Sequence, residues 1–226
     1  MSYQVSPDLS FCRVDGHLIF LDVRNDRYFR LSDSLERLFT MHLDHGGCSE
    51  TDVGRLVKRG LLVEPEPDAE HASPLTIERP TRSVVEDVPA AQSNHVSVLF
   101  EVFSITCMAQ VRLKTSRLGR ILSELTAYRE RKAHRIQSEP DEAYGLRVSR
   151  AAAAFLCARP YVPVNTCCLV DSIAMVKFLA KHEIAANLVF GISGAPFSAH
   201  CWVQIGPLVL NDTVGNTHAH TPIRIV

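Results

Sequence analysis

The stretch "AHCWVQIGPLVLND", Ala199 to Asp212, holds the chain's single tryptophan and reads as an apolar hairpin bounded by a histidine and an aspartate. Its turn lies at Gly206-Pro207, and the length of that turn decides what the two polar ends can do. A strict two-residue turn would pair Gln204 with Val209 and leave His200 facing away from Asp212, because side chains alternate between faces. A three-residue loop, Ile205 to Pro207, sets His200 directly opposite Asp212, with Cβ atoms about 5 Å apart. Proline in the loop argues against the primed two-residue turns, which need positive φ. The odd-length loop is therefore expected, and with it an imidazole–carboxylate pair.

Upstream lies "RPYVPVNTCCLVDSIAMVKFLAKHEI", Arg159 to Ile184. Its two prolines forbid helix before Val164, and from Cys168 onward Leu169, Ile173, Val176 and Leu179 form a helical stripe. Cys168 thus opens a helix, where unpaired N–H groups and the helix dipole favour an anion and lower a thiol's pKa. A cysteine there, a histidine on a strand and an aspartate on the next make a Cys-His-Asp arrangement. His200 would take the thiol proton and return it to the leaving amine, and Asp212 would orient and stabilise the imidazolium. Cys167 stands beside Cys168, so spacing alone leaves the nucleophile open between the two. "AANLVFGIS" (185–193) reads as the strand before the hairpin.

Three helices precede this block: "HVSVLFEVFSITCMAQVRL", "RLGRILSELTAYRERKA" and roughly Asp141 to Cys157. Before them, Val63 to Ala91 carries five of the twelve prolines and many charges, and reads as an extended linker. The chain divides into residues 1–64, a linker at 65–91, and 92–226. The first part opens with "FCRV", "HLIFLDV" and "RYFRL" separated by turns at Asp15-Gly16 and Asn25-Asp26, a three-stranded meander. Ser32 then caps a helix bearing Leu35, Leu38 and Phe39. Ser49 caps a second, bearing Val53, Leu56 and Val57, with Asp52 as a capping-box mimic and Gly60 as its stop. The module is α+β and winged-helix-like. Its eight Lys/Arg against ten Asp/Glu oppose nucleic-acid binding, which needs clustered cations. An edge strand beside a helix can instead take up a peptide as an added strand.

Composition excludes little else. Of 226 residues, 46% are hydrophobic and 22% charged, and the net charge is -1, ordinary for a globular protein with no general pull toward nucleic acid or anionic membrane. No uninterrupted apolar run approaches the ~18 residues of a membrane span, and "MSYQVSPDLS" is unlike a signal peptide, so a cytoplasmic location is expected. Seven cysteines include no CxxC, and reduced thiols are expected. His218 and His220 would share a strand face, but two histidines are too few for a metal. His17, His42 and His45 read as solvated or satisfied side chains. No phosphate-binding loop is present, and no cofactor or metal is expected.

The C-terminal residues resemble the lasso-peptide biosynthesis B proteins. The matches are Cys168-Leu169 with Ser172, Gly191-Ile192, Pro196-Phe197, Ala199-His200, Trp202-Val203 and Asn211-Asp212. Cys201 stands where that family usually has alanine, and the Cys-Leu match selects Cys168 over Cys167. The resemblance implies a transglutaminase-like, papain-like cysteine protease domain that removes the leader of a ribosomal precursor peptide. The N-terminal half resembles the PqqD-like recognition element. That implies leader docking along "RNDRYFRLS" (24–32), with Arg27, Tyr28, Phe29, Arg30 and Leu31 on the strand and Val53 and Leu56 on the helix. The implied partners are the precursor's leader and an asparagine synthetase-like lasso cyclase, with any ATP dependence entering through the cyclase. Amine acyl transfer and leader binding without catalysis are the competing expectations.

Overall fold

The computed structural model describes residues 3–45, 49–64, 77–87, 96–133 and 141–226, which form two compact units, 1–76 and 77–226. In the first unit a short β1 (Gln4–Val5) precedes the meander β2 (Leu9–Val14), β3 (His17–Asp22) and β4 (Arg27–Arg30). Helices α1 (Asp33–His45) and α2 (Glu50–Lys58) follow, and β5 (Leu62–Val63) returns to pair with β1. The sheet order β2-β3-β4 leaves β4 as an edge. Phe20 alternates inward with Leu18 and meets Phe39 of α1 edge-on at 5.1 Å, sealing a core completed by Leu35, Leu56 and Leu61. Ser49 caps α2 as its sequence implies, accepting the Asp52 N–H (3.2 Å) and donating to its carboxylate (2.7 Å).

The second unit begins inside the expected linker. Parts of that stretch, 65–76 and 88–91, lie outside the described residues. Residues 77–87, however, fold as β6 (Arg82–Ser83) and α3 (Val84–Asp87). Thr81 and Arg82 N–H groups donate to the Pro207 carbonyl (2.9 and 3.2 Å), and Arg82 pairs with Leu208. A proline-rich segment cannot be a central strand, but it can close a sheet edge, which is where this one sits.

Helices α4 (Val96–Thr115), α5 (Leu118–Ala133) and α6 (Asp141–Ala158) then lead through a 3-10 turn at Arg159–Tyr161 into α7 (Cys168–Lys181). α7 is largely apolar and nine of its residues are buried, the pattern of a central helix. α4 is long and apolar enough to cross a membrane, with mean hydropathy 1.5 over 18 residues, unlike the expectation drawn from uninterrupted runs. Here Val102, Thr106 and Ala109 are buried, and Glu101 ion-pairs with Lys181 of α7 (2.9 Å). Phe100, Met108 and Val111 remain exposed on its outer side.

The sheet that receives α7 has the order β10-β7-β8-β9-β6, built from β7 (Asn187–Ser193), β8 (Ser198–Ile205), β9 (Leu208–Val209), the short helix α8 (Val214–His218) and β10 (Thr221–Ile225). It is antiparallel except where β6 joins β9. Gly191 of β7 faces Trp202 across the sheet so closely that a Cβ there would lie 2.6 Å from an indole carbon. Glycine is what lets the buried indole lie flat on that strand.

The hairpin register differs from expectation. Gln204 pairs with Val209 and Ile205 with Leu208, so the turn is the two-residue Gly206-Pro207. Only the first central residue of a type II′ turn needs positive φ. Gly206 supplies it, at +51°, and proline's fixed φ suits the second position. A type I′ turn would need positive φ at both residues, which proline cannot supply, whereas type II′ asks it of the glycine alone.

Candidate active site

With that register a straight β9 would carry Asp212 opposite Cys201, on the wrong face for His200. The chain avoids this by leaving the ladder. The Leu210 N–H still donates to the Val203 carbonyl (2.9 Å), but the next donor, Val203 N–H, is taken by the side-chain Oδ1 of Asn211 (2.7 Å). The Asn211 amide also donates to Ser172 Oγ on α7 (2.9 Å). Residues 211 and 212 bend, and the Asp212 carboxylate swings to the His200 side, where Oδ2 meets Nε2 at 2.5 Å.

Asp212 is held at three further points, two on its carboxylate and one on its backbone carbonyl. Its Oδ1 accepts the Thr213 N–H (2.7 Å), both oxygens accept from the Asn216 amide (3.1 and 2.9 Å), and Ser83 Oγ donates to the Asp212 carbonyl (2.5 Å). Burial pushes the carboxyl up, but the bonds from His200, Thr213 and Asn216 outweigh it and hold its pKa below the usual range. Asn216 lies four residues beyond Asp212 on a helix capped by Thr213, a spacing that could have identified it. Ser83 could not be found this way, because its stretch read as linker.

Cys168 sits at the start of α7, with Cys167 as the extended cap residue (φ -147°). The loop before it is fixed by Arg159, which donates to the Val164 carbonyl (2.9 Å) and to the Asp171 carboxylate on α7's first turn (2.6 Å). The β8–β9 pairing stops at Gln204, so the backbone of Cys201 is open toward the helix start. The Cys168 sulfur accepts hydrogen bonds from the Cys201 thiol, the His200 imidazole and the Cys201 backbone N–H, and these bring its pKa down to about 4 against burial. Contact with Asp212 first, then with Cys168, raises His200 to about 9. Between those limits sulfur and imidazole stand as an ion pair, with Nε2 on the carboxylate and Nδ1 left for the sulfur. Cys167 is exposed.

The expected leader-binding residues lie in the first unit. Arg27 and Arg30 are exposed on edge strand β4, whereas Tyr28, Phe29, Leu31 and Val53 are half-buried. Phe29 stacks on Phe20 at 5.2 Å, with the Arg27 guanidinium over its ring. Leu56 is fully buried, so it supports this face from beneath and cannot touch a peptide. His218 and His220 do not alternate on a strand. α8 ends at His218, whose Nε2 donates to the Pro80 carbonyl, and His220 Nδ1 donates to the Asn216 carbonyl, both at 2.8 Å. His17 approaches Glu36 (3.8 Å), His42 is half-buried on α1, and the His45 side chain lies outside the described residues.

This chain is similar to known proteins over two stretches. A 45-residue stretch is 42% identical to the Microcin J25-processing protein McjB of Escherichia coli, covering 20% of this chain and 22% of that protein. No solved structure matches. The Transglutaminase-like superfamily profile matches residues 106–225, which contain Cys168, His200 and Asp212 and more than half the chain. The protein belongs to the transglutaminase-like superfamily.

Proposed function

We propose that this protein is a cysteine peptidase of lasso-peptide maturation that cuts the leader from a ribosomal precursor peptide. The observation that carries the reading is the linear contact of thiolate, imidazole and carboxylate at Cys168, His200 and Asp212. The similarity to a microcin-processing protein supplies the substrate class.

In the first step the Cys168 sulfur attacks the scissile carbonyl carbon, and the π electrons move to oxygen. Collapse expels the amine of the core peptide, which takes the His200 proton, and leaves the leader as a thioester. His200, now neutral, removes a proton from water as the water attacks the thioester, and the sulfur leaves as thiolate with the imidazolium restored. Asp212 stays ionised and holds the ring. The Cys168 N–H at the helix start is the natural donor to the developing oxyanion. Neither step consumes a cofactor. The first unit is read as a PqqD-like module that takes the leader along β4, presenting Arg27, Tyr28 and Arg30. A cyclase receiving the freed core N-terminus is the expected partner, both in the cytoplasm, and any ATP dependence would enter there.

The test incubates precursor with wild type, Cys168→Ala and Cys167→Ala and follows products by mass spectrometry. Wild type and Cys167→Ala are expected to yield free leader and core, and Cys168→Ala neither. A leader–amine crosslink in place of hydrolysis would identify an acyltransferase. Cleavage surviving in Cys168→Ala would sink the assignment of the nucleophile.

A further inference from the structure

The nucleophile has a second sulfur beside it that peptide hydrolysis does not need. Cys201 follows His200 on β8, so its side chain leaves the opposite face of the strand, the one α7 covers. There Ser172 Oγ donates to the Cys201 carbonyl (3.3 Å), and Cys201 Sγ lies 3.9 Å from the Ser172 hydroxyl. Ser172 stands four residues beyond Cys168 and shares its side of α7. The Cys201 thiol therefore lies under the first helical turn, donating to Ser172 Oγ and in contact with the Cys168 sulfur. It is only 3% exposed, out of reach of bulky reagents, whereas Cys168 is half-buried at the open end of the helix.

We propose that Cys201 is a resolving thiol for Cys168, so that a hydroperoxide converts the pair into a reducible internal disulfide instead of destroying the nucleophile. The proposal rests on Cys168 being the reactive thiolate of the site described above. In the first step its sulfur attacks a peroxide oxygen. The S–O bond forms, the O–O bond breaks, and the departing oxyanion takes the proton of His200, leaving Cys168 as sulfenic acid. Contact with the Cys168 thiolate and then burial hold Cys201 protonated, and oxidation removes the first and larger of these. Cys201 gives its proton to the departing hydroxide and attacks the sulfenic sulfur. The S–S bond forms, the S–O bond breaks, and hydroxide leaves with that proton as water. Two equivalents of an external thiol reverse the change. Without a neighbouring thiol, further peroxide carries the sulfenic acid to sulfinic acid, which thiols do not reduce.

Treating the full chain with hydrogen peroxide and mapping peptides without reduction tests this. The expected product is a peptide bearing Cys168 joined to one bearing Cys201, lighter by two hydrogens. Dithiothreitol should then restore iodoacetamide labelling of Cys168. In Cys201→Ala and Cys201→Ser the same treatment should give sulfinic acid at Cys168, with recovery of labelling at least tenfold lower. Sulfinic acid in wild type to the same extent as in the variants, or linkage of Cys168 to Cys167, overturns the proposal. Should the variants fail to fold, the wild-type map alone decides. The readout is thiol chemistry, so a failed peptidase reading shows separately, as intact precursor with fully reduced protein.

Discussion

The Asp212 carboxylate accepts four hydrogen bonds, from His200, Thr213 and twice from Asn216, and each fixes its rotation against the imidazole. A bond to a charged acceptor contributes about 1.5–3 kcal/mol. Asn216→Ala is therefore expected to lower kcat roughly 10- to 100-fold while leaving KM near its wild-type value. Asp212→Asn removes the charge that stabilises the imidazolium and is expected to cost about 10⁴ in kcat, the scale seen for serine triads. Equal losses in the two variants would mean that Asn216 does more than hold the carboxylate. The sulfur and imidazole titrate as a pair. Acid protonates the thiolate as pH falls toward about 4, and alkali strips the imidazolium as pH rises past about 9. A pH profile of kcat/KM should be a broad bell between those limbs. A rise with pH through 8 to 9, as for an ordinary thiol, would contradict the ion pair. Gly191 was legible as part of a motif, but its reason, the indole lying against it, is tertiary. Gly191→Ala should destabilise the second unit by about 1–3 kcal/mol through overpacking, lowering its thermal midpoint.

At the scale of elements, the start of α7 is positioned by a latch that no sequence pattern announced. Arg159 is 7% exposed and ties the loop carbonyls to Asp171. Removing one partner of a buried ion pair costs about 3–5 kcal/mol because the other charge is left bare. Arg159→Met should thus lower the unfolding midpoint far more than Arg159→Met/Asp171→Leu, read by calorimetry. Equal losses would mean that the guanidinium acts through the carbonyls alone. The long helices α4 to α7 and the strands β2, β3, β4, β7 and β8 were legible because their apolar periods run for a turn or more. The short elements β6, α3 and α8 were not. Two to five residues carry no period: Ser83 of β6 and Glu86 of α3 find partners in Asp212 and Val214, distant along the chain, and α8 adds the local Thr213 cap on Asn216.

At the scale of the molecule, two units sit on one chain, one carrying the edge strand β4 and the other the thiolate. If the first unit holds the leader, tethering raises the local concentration of the cleavage junction to the millimolar range. Arg30→Glu on β4 should then raise KM for full-length precursor about tenfold or more and leave kcat unchanged. A short peptide spanning only the junction should be cleaved equally by both proteins. An equal effect on both substrates would remove β4 from leader recognition.

The sequence alone determined which residues could do chemistry here. A sulfur at a helix start, an imidazole and a carboxylate are fixed by residue type, and proline, glycine and apolar period set the elements that bear them. It misjudged how they meet, because a register depends on which of two primed turns forms and on where a strand ends. Those choices were made by contacts between residues far apart in sequence. Asn211 left the ladder for Ser172, and Gly206 supplied the one positive φ, so that Asp212 reached His200 by a bend and not by pairing. Such contacts exist only once the chain has folded, which is why only the tertiary structure decided them.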